Sequence, residues 1–381
     1  MAPEQPPARR RAALPRVLLA LFVLLALYLY QAGRLQAIAA YALEHAGLAH
    51  SEPRHGPIQA FFTTPALVYP DLAQQRRSSA LLDAVLADLD AARSSVDLAS
   101  FDFDIPSLTD ALLRAAKRGV MVRVLVDSEN LEAPEVSEQT GRLQRAGIAV
   151  QFDRREPFMH DKFLVIDQAI AWTGSWNLTD NDTWRNNNQM LRFISRRIAA
   201  DYINEFEQMF AGRFGTSKRS ATPYPQVRLG SARVAVYFSP QDGVAKHVLQ
   251  RIAAAKRSIH FMTFSYTSSV VADAMVAQAQ AGLPVRGVFE RQNAGGTGSA
   301  FSRLRQGGVD VLEDGNCYIL HHKVIIIDER TVITGSYNFT NSAERDNDEN
   351  LVIVDDPNSA RAYLEEFERV YAQAQAPTRC R

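Results

Sequence analysis

The chain has 381 residues, 46% of them hydrophobic, a length that suits two domains of ordinary size or one large duplicated domain. Its 42 basic and 42 acidic residues give a formal net charge of zero, which argues against a protein that binds nucleic acid through a basic surface. A disordered chain and a disulfide-rich scaffold are also excluded, because apolar residues are abundant and there are only two cysteines.

The first 57 residues predict a membrane or export segment followed by a stalk. Four arginines precede an uninterrupted apolar run at 17–30. This length lies between the apolar core of a signal peptide and a membrane-spanning helix, and an Ala-Ile-Ala run further on would suit cleavage. The apparent helical continuation favours a signal anchor, and the arginines predict a cytoplasmic N-terminus with an extracytoplasmic remainder. We predict a cytoplasmic tail and an apolar signal-anchor helix (or a signal peptide) at 1–34 and a stalk at 35–57.

From residue 58 onward, strands and helices alternate in two similar series. The first series is predicted at 58–62, 79–94, 96–103, 108–118, 122–127 and 147–150. The second series is predicted in the same order at 234–238, 244–256, 259–266, 270–281, 285–290 and 308–311. Each series closes with an amphipathic helix, and such alternation predicts an α/β sandwich in each half. We place the first half at 58–214, a linker at 215–230 and the second half at 231–381.

Two local features are predicted to lie outside the chemistry. The Gly-rich run at 293–299 lacks the Gly-Lys-Ser/Thr ending of a phosphate-binding loop, so a flexible loop is expected. Cys317 and Cys380 lack the spacing of a zinc site. Cys317 is therefore expected to be a buried free thiol.

One short pattern occurs once in each half. It reads H-x-K-x4-D and then T-G-S-x-N. The first copy supplies His160, Lys162, Asp167, Ser175 and Asn177. The second copy supplies His321, Lys323, Asp328, Ser336 and Asn338. Each residue of the first copy is separated from its counterpart by 161 residues, which identifies an internal duplication.

The spacing of the pattern suits chemistry on a phosphodiester. Side chains two apart on a strand share a face, so His160 lies beside Lys162 and His321 beside Lys323. A phosphodiester needs a nucleophile, an acid for the leaving group and positive charge around its oxygens. Two imidazoles and two ammonium groups supply these functions without a metal or another cofactor. The remaining polar residues are predicted to bind the substrate phosphate: Ser175, Asn177, Ser336 and Asn338.

The duplicated motif resembles the signature of the phospholipase D superfamily, the HKD phosphodiesterases, over nearly everything from about residue 59 onward. The resemblance implies two sheets packed about a pseudo-twofold axis, with the active site on that axis. Because both motifs lie in one chain, a monomer is expected. The motif aspartates, Asp167 and Asp328, are expected to fix a turn. The predicted catalytic set is His160, Lys162, Asp167, His321, Lys323, Asp328 and Glu349.

The halves differ 28 residues after each histidine, where Asn188 and Glu349 stand. In the family an acidic residue at this place hydrogen-bonds a catalytic histidine, and the contact is expected to cross the axis. Glu349 would then orient His160 as the nucleophile. Asn188 would leave His321 as the acid for the leaving group.

The resemblance implies a phosphodiesterase that acts through a covalent phosphohistidine. A glycerophospholipid is the predicted substrate, cleaved to phosphatidate and head group, because an anchor and balanced charge favour lipid. A phosphatidyltransferase of the cardiolipin synthase type and an exported endonuclease, which would bind nucleic acid, remain open, as does an inactive scaffold that binds head groups. An apolar rim is expected from residues that could also be core: Phe158, Met159, Trp176, Trp184, Tyr318, Ile319, Leu320 and Tyr337.

Overall fold

The computed structural model describes residues 56–63 and 69–377. The predicted tail and anchor at 1–34, and all of the predicted stalk except its last two residues, lie outside the described residues. Within the described ranges, no helix combines the length and the apolar character that a membrane crossing requires.

The first half contains a seven-stranded mixed sheet. Its strands are β1 (Ile58–Phe62), β2 (Ser95–Ser100), β3 (Met121–Val126), β4 (Ala149–Phe152), β5 (Lys162–Ile166), β6 (Ile170–Gly174) and β7 (Gln189–Ile194). They lie in the order β1-β7-β6-β5-β2-β3-β4. β2 is parallel to β3 and antiparallel to β5, so the strand direction changes at β5, which begins with Lys162 of the first motif. All residues of β5 are buried, as expected for a strand covered on both faces.

The second half contains an eight-stranded mixed sheet. Its strands are β8 (Gln226–Leu229), β9 (Ala232–Ser239), β10 (Ile259–Thr263), β11 (Val285–Phe289), β12 (Asp310–Glu313), β13 (Lys323–Ile327), β14 (Thr331–Gly335) and β15 (Glu349–Asp355). They lie in the order β12-β11-β10-β13-β14-β15-β9-β8. Apart from β8, this order repeats that of the first sheet strand by strand. The predicted duplicated α/β fold with pseudo-twofold symmetry is therefore confirmed.

Eleven helices connect the strands of the described part of the chain. They are α1 (Ala80–Ala91), α2 (Pro106–Lys117), α3 (Pro134–Arg145), α4 (Asp180–Trp184), α5 (Arg196–Phe210), α6 (Val244–Ala253), α7 (Ser269–Gln280), α8 (Arg291–Ala294), α9 (Phe301–Gln306), α10 (Asn341–Arg345) and α11 (Pro357–Gln375). Serine hydroxyls cap several N-termini, as Ser79 does for α1 and Ser195 for α5. The predicted loop at 293–299 overlaps the end of α8, so its first two residues are helical.

Three apolar cores organise these elements. One core joins α1, α2 and α3 to the outer face of the first sheet, and another joins α6, α7 and α9 to the outer face of the second. The central core contains residues of both sheets together with α5 and α11, including Tyr202, Phe206, Tyr363 and Phe367. Burial of each such aromatic side chain contributes about 1.5–3 kcal/mol. The two halves are thus packed through a shared core.

Residues 215–230, predicted as a linker, include a regular element that joins the second half. β8 lies within this interval and pairs with β9 at the edge of the second sheet. The Lys218 side chain is fully buried, where Nζ forms ion pairs with Glu205 of the first half and Asp348 of the second. A charge enclosed in this way requires such partners. The segment therefore ties the halves together.

Cys317 differs from the sequence-based expectation of a buried free thiol. The residue is half-buried and disulfide-bonded. The other cysteine of the chain, Cys380, lies outside the described residues. No local cysteine spacing in the sequence indicated a bond at Cys317.

Candidate active site

The two motif histidines lie where the halves meet. The main-chain N–H of His160 donates to the carbonyl oxygen of Asp348 at 2.9 Å, and that of His321 donates to the carbonyl oxygen of Asn187 at 2.9 Å. Each histidine therefore precedes its own strand, β5 or β13, while its backbone is bonded to the opposite half. The geometry brings the two predicted catalytic histidines to one interface.

The side chains of the histidines are also supported across this interface. Nδ1 of His160 lies 2.8 Å from Oε2 of Glu349. Nδ1 of His321 lies 2.9 Å from Oδ1 of Asn188. Both contacts cross between the halves, as the family resemblance implied. When Nδ1 donates these bonds, the lone pair of each neutral ring lies on Nε2.

The two motif lysines occupy equivalent positions beside the histidines. Nζ of Lys162 donates to the His160 carbonyl oxygen at 2.8 Å, and Nζ of Lys323 donates to that of His321 at 3.1 Å. Each ammonium group also lies 5.0 Å from an aromatic ring centroid, that of Phe101 or of Phe264. A cation–π contact of this kind holds a cation without neutralising it. Both amine groups are therefore placed to stabilise an anion without a carboxylate beside them.

Burial and the paired lysines make the site unfavourable for further positive charge. Burial, with the charges of Lys162 and Lys323, lowers the pKa of His160 well below 6.5. Burial and Lys323 lower the pKa of His321 to about 4, although Asp182 opposes this change. Burial also lowers the pKa of Lys162 to about 8, and burial with the charge of Lys162 lowers the pKa of Lys323 well below its usual value. A bound phosphodiester anion would raise these lowered pKa values again, because its negative charge favours the protonated forms.

Glu349 is enclosed with the histidine that it supports. Burial raises its pKa to about 8, while the ammonium groups of Lys162 and Lys323 oppose this rise. The Asn347 amide lies 3.5 Å from the other carboxyl oxygen. The Glu349 side chain therefore has a fixed place in the site.

The predicted phosphate-binding residues fall into two kinds. The Ser175 hydroxyl is buried and donates to Oδ1 of Asn188 at 2.9 Å, so it positions the amide that contacts His321. Asn177 and Asn338 are half-buried, and Oδ1 of each is buried without a hydrogen-bond partner. Ser336 is buried and its hydroxyl accepts a hydrogen bond from the Asn350 N–H at 3.0 Å. Binding of phosphate by these four residues stays a prediction.

Glycine is required immediately before each motif serine. A Cβ atom at Gly174 would lie 2.1 Å from the carbonyl oxygen of Gln189, and one at Gly335 would lie 2.3 Å from that of Asn350. Gly335 also has a φ of +146°. No side chain fits at these positions, which lets β6 and β14 approach their neighbouring strands closely.

The motif aspartates are not brought to the histidines. Asp167 follows β5 with a φ of +52° and accepts hydrogen bonds from the main-chain N–H groups of Arg93, Ser94 and Ser95. Asp328 follows β13 with a φ of +56° and binds three backbone N–H groups in the same manner. Both residues lie at the opposite end of the strand from the motif histidine. Asp167 and Asp328 belong to the predicted catalytic set, and their side chains stabilise turns away from the histidines.

Sequence reasoning missed Asp182, a carboxylate beside His321. Oδ2 of Asp182 lies 3.4 Å from Nδ1 of His321, and its side chain is 4% exposed. Position 182 has no signal in the repeat, because the equivalent residue of the second half is Ala343. Phe101 and Phe264 were also missed, although they stand at equivalent places, just after β2 and just after β10.

The surroundings of the two histidines are unequal. A groove of about 660 Å³ is lined by residues of both halves, among them Arg155, Phe158 and Asn347. On the other side, residues 69–79 form a covering segment over Tyr318. The Asp71 N–H donates to the Tyr318 hydroxyl at 2.7 Å. The covering segment therefore lies on one side of the pseudo-twofold axis.

The aromatic and apolar residues predicted near the cleft divide between core and surface. Four of them are buried in the core: Met159, Trp176, Leu320 and Tyr337. The other four are half-buried: Phe158, Trp184, Tyr318 and Ile319. Only the second set is available to form an apolar rim.

Among the described residues, no group of three or more His, Cys, Asp or Glu side chains is arranged to hold a metal ion. The positive charge that the described site presents to an anion comes from Lys162 and Lys323.

The chain matches a known protein family in both halves. The match to the family described as "Cardiolipin synthase, PLD-like domain" covers residues 85–210 and again 248–371, which together exceed half of the chain. The chain belongs to the phospholipase D superfamily. Its similarity to members of this family supports phosphodiesterase chemistry at the family level.

Individual relatives of this phospholipase D superfamily protein extend the comparison. A phospholipase D of Rickettsia prowazekii (strain Madrid E) is 34% identical over 40% of this chain and 75% of its own length. The mitochondrial cardiolipin hydrolase of Homo sapiens is 34% identical over 35% of this chain and 52% of its own length. The crystal structure of phosphatidylserine synthase from Haemophilus influenzae Rd KW20 aligns with a TM-score of 0.60 and 13% identity, covering 83% of this chain and 86% of that one. That structural likeness concerns the fold alone.

Proposed function

We propose that this protein is a phosphodiesterase of the phospholipase D type that hydrolyses glycerophospholipids to phosphatidate and a free head group. The observation that carries the proposal is the pair of motif histidines, each bonded through Nδ1 to the opposite half and each beside a buried lysine. This arrangement supplies a nucleophile, an acid and two cations to one phosphate.

In the first step, Nε2 of His160 attacks phosphorus while the bond from phosphorus to the head-group oxygen breaks. His321 donates a proton to that oxygen, so the head group leaves as an alcohol. The product is a phosphohistidine at His160. In the second step, water attacks phosphorus, His321 takes a proton from the water, and the bond from Nε2 to phosphorus breaks. Phosphatidate leaves and His160 is restored.

The lysines stabilise the charge that collects on the phosphate oxygens during both steps. Lys162 and Lys323 are held by backbone carbonyl oxygens and aromatic rings, so no carboxylate has to be displaced before substrate binds. Preorganised charge in a buried site stabilises a transition state more strongly than mobile charge in water.

The choice of lipid rests on charge and on the relatives. The chain has only six lysines and no net charge, whereas nucleases that grip several phosphates usually need clustered cations. Relatives are named phospholipase D and cardiolipin hydrolase. The half-buried residues Phe158, Trp184, Tyr318 and Ile319 would border an acyl or head-group site.

Two further activities are compatible with the same intermediate. An alcohol that replaces water in the second step would make the protein a phosphatidyltransferase, which the family description "Cardiolipin synthase, PLD-like domain" supports. A nucleic acid in place of lipid would make it an endonuclease, which the balanced charge disfavours.

We further propose an extracytoplasmic catalytic region attached to the membrane by the apolar run at 17–30, acting as a monomer with no cofactor. The arginines ahead of that run support this orientation, and the disulfide bond of Cys317 suits an oxidising compartment. A reporter fused after Arg381 should be active outside the cytoplasm. Activity of the reporter only in the cytoplasm would contradict the orientation.

The substrate proposal is tested with the full-length protein in detergent. Vesicles of phosphatidylcholine, phosphatidylethanolamine, phosphatidylglycerol or cardiolipin are compared with single- and double-stranded DNA. A His160→Ala/His321→Ala double variant serves as the blank. Release of phosphatidate from at least one lipid, with little DNA cleavage, is expected. Cleavage of DNA while every lipid stays intact would transfer the function to the endonuclease.

A further inference from the structure

The carboxylates beside the two histidines come from different places in the repeat. In the second half the carboxylate is Glu349, and the residue six positions earlier is Ala343. In the first half position 188 is an asparagine, and the residue six positions earlier is Asp182. Both carboxylates nevertheless lie beside Nδ1 of a histidine of the opposite half, at 2.8 Å for Glu349 and 3.4 Å for Asp182.

We propose that Asp182 is the positioning residue of His321, and that its carboxylate favours the protonated imidazole that gives its proton to the leaving group. The amide of Asn188 receives the Nδ1–H bond at 2.9 Å and fixes the ring orientation. The carboxylate behind it supplies negative charge that an amide lacks. This inference rests on phosphodiester cleavage by the two histidines, but not on lipid as the substrate.

Asp182 is built to remain ionised in this position. Although burial opposes ionisation, the charge and hydrogen bonding of His321 and further hydrogen bonds keep its pKa far below the usual range. The backbone N–H of Asn177 donates to Oδ2 at 2.8 Å, and the Asn186 amide donates to Oδ1 at 2.6 Å. A carboxylate that accepts several hydrogen bonds is a stable anion. Asp182 can therefore act on His321 throughout the neutral range.

The other charged groups that act on His321 work in the opposite direction. Lys323, two residues along the chain, and Lys162 of the other half both lower the pKa of the imidazole. Asp182 is the group that opposes them through its charge and its hydrogen bond. Without Asp182, two ammonium groups and a neutral amide would surround the ring, and protonation would become harder.

The different supports assign different tasks to the histidines. Glu349 contacts His160 directly, and its own pKa is raised by burial, so the His160–Glu349 pair carries little net charge. His160 is then suited to attack phosphorus as a neutral ring. His321 lies beside an ionised carboxylate and is suited to carry a proton to the leaving oxygen.

The test uses leaving groups that differ in their need for a proton. The full-length wild type, Asp182→Asn, Asn188→Asp and the double variant are compared on bis(p-nitrophenyl) phosphate, whose leaving group departs as a stable anion. They are also compared on dihexanoylphosphatidylcholine and on an oligodeoxynucleotide, whose leaving alcohols need a proton. Including both alkyl probes keeps the outcome independent of whether lipid is the substrate.

For Asp182→Asn we expect kcat/KM to fall roughly 10- to 100-fold on the alkyl diester that the wild type cleaves, but less than about 5-fold on the p-nitrophenyl diester. On the alkyl diester, the alkaline limb of kcat should move to lower pH, because in the substrate complex, where the phosphate anion favours the imidazolium, His321 loses its proton more readily. Asn188→Asp in the Asp182→Asn background should recover much of the loss, since it returns a carboxylate to Nδ1.

Asp180→Asn is the matched control, because Asp180 lies on the same short helix and pairs with Arg76 at the surface. It should leave all rates and the pH profile near those of the wild type. Equal losses of Asp182→Asn on every probe, with an unmoved alkaline limb and no recovery in the double variant, would assign Asp182 a purely structural role. Wild type that cleaves the oligonucleotide but no lipid would refute the lipid proposal while leaving this test intact.

Discussion

Glu349 of the second half lies 2.8 Å from Nδ1 of His160 in the first half, so a residue distant in sequence holds the imidazole ring of the candidate nucleophile. The equivalent contact of His321 is made by Asn188. The two histidines are therefore supported in the same geometry, one by a carboxyl group and the other by an amide. This difference underlies the separate roles predicted for them.

Catalysis should require the motif residues of both halves. Each of the single variants His160→Ala, His321→Ala, Lys162→Ala and Lys323→Ala should lower kcat by roughly three orders of magnitude or more, because these groups act as one unit. Steady-state assay on bis(p-nitrophenyl) phosphate and on a phospholipid measures the loss. His247→Ala, at a half-buried histidine that stacks on Tyr237, is the control and should keep full activity. Robust turnover of the phospholipid by any of the four motif variants would contradict a single active site built from both halves.

The phosphoryl group should be trapped on His160. Glu349→Gln keeps a hydrogen-bonding group beside the ring but cannot ionise when positive charge develops on His160 during attack, so formation of the phosphoenzyme should slow by roughly 10- to 100-fold. Rapid quenching with labelled substrate, followed by peptide mapping, gives both the rate and the labelled residue. A label on His321 would exchange the roles of the two histidines.

The acid limb of the pH profile should lie at an unusually low pH. Burial and the two motif lysines lower the pKa of His160 well below 6.5, so the ring stays neutral until the pH falls through that lowered value. With bis(p-nitrophenyl) phosphate, whose leaving group needs no acid, kcat/KM should stay level down to pH 6.5 and decline only below it. A limb centred at or above 6.5 would show that the free enzyme does not depress the pKa of its nucleophile.

Asp167 should contribute to stability and little to turnover. Asp167→Ala removes the acceptor of three backbone N–H bonds and leaves a residue with positive φ, so unfolding should become easier by about 1–3 kcal/mol. Thermal unfolding measures this change, with Glu138→Ala on the exposed face of α3 as the control. The folded fraction should keep kcat within a few-fold of wild type. A loss of turnover as large as that of a histidine variant, without destabilisation, would place Asp167 in the chemistry.

Chelators should leave turnover unchanged. Lys162 and Lys323 supply the positive charge that a divalent cation provides in other phosphodiesterases. Assays after prolonged treatment with excess EDTA, with and without added Mg²⁺ or Ca²⁺, measure the dependence. Strong inhibition that a divalent ion reverses would require a metal in the mechanism.

Features marked by the repeat or by the family resemblance could be predicted from the sequence, Glu349 among them, and features with neither mark could not. The duplicated motif located both histidines and lysines, and apolar periodicity gave the strand and helix series. Asp182 escaped notice because a single carboxylate on a short helix has neither period nor counterpart. The pairing of β8 and the disulfide bond of Cys317 depend on tertiary neighbours that local spacing does not specify. These features become visible only when distant segments are placed side by side.

The covering segment over Tyr318 has a consequence for the way such a site can diverge. In a symmetric dimer of identical chains, every substitution appears twice, once on each side of the axis. Joining the two copies in one polypeptide removes that constraint, so a loop can close one flank while the other stays open to a ligand. A substitution on one flank can then change access to the site there without a matching change on the other flank.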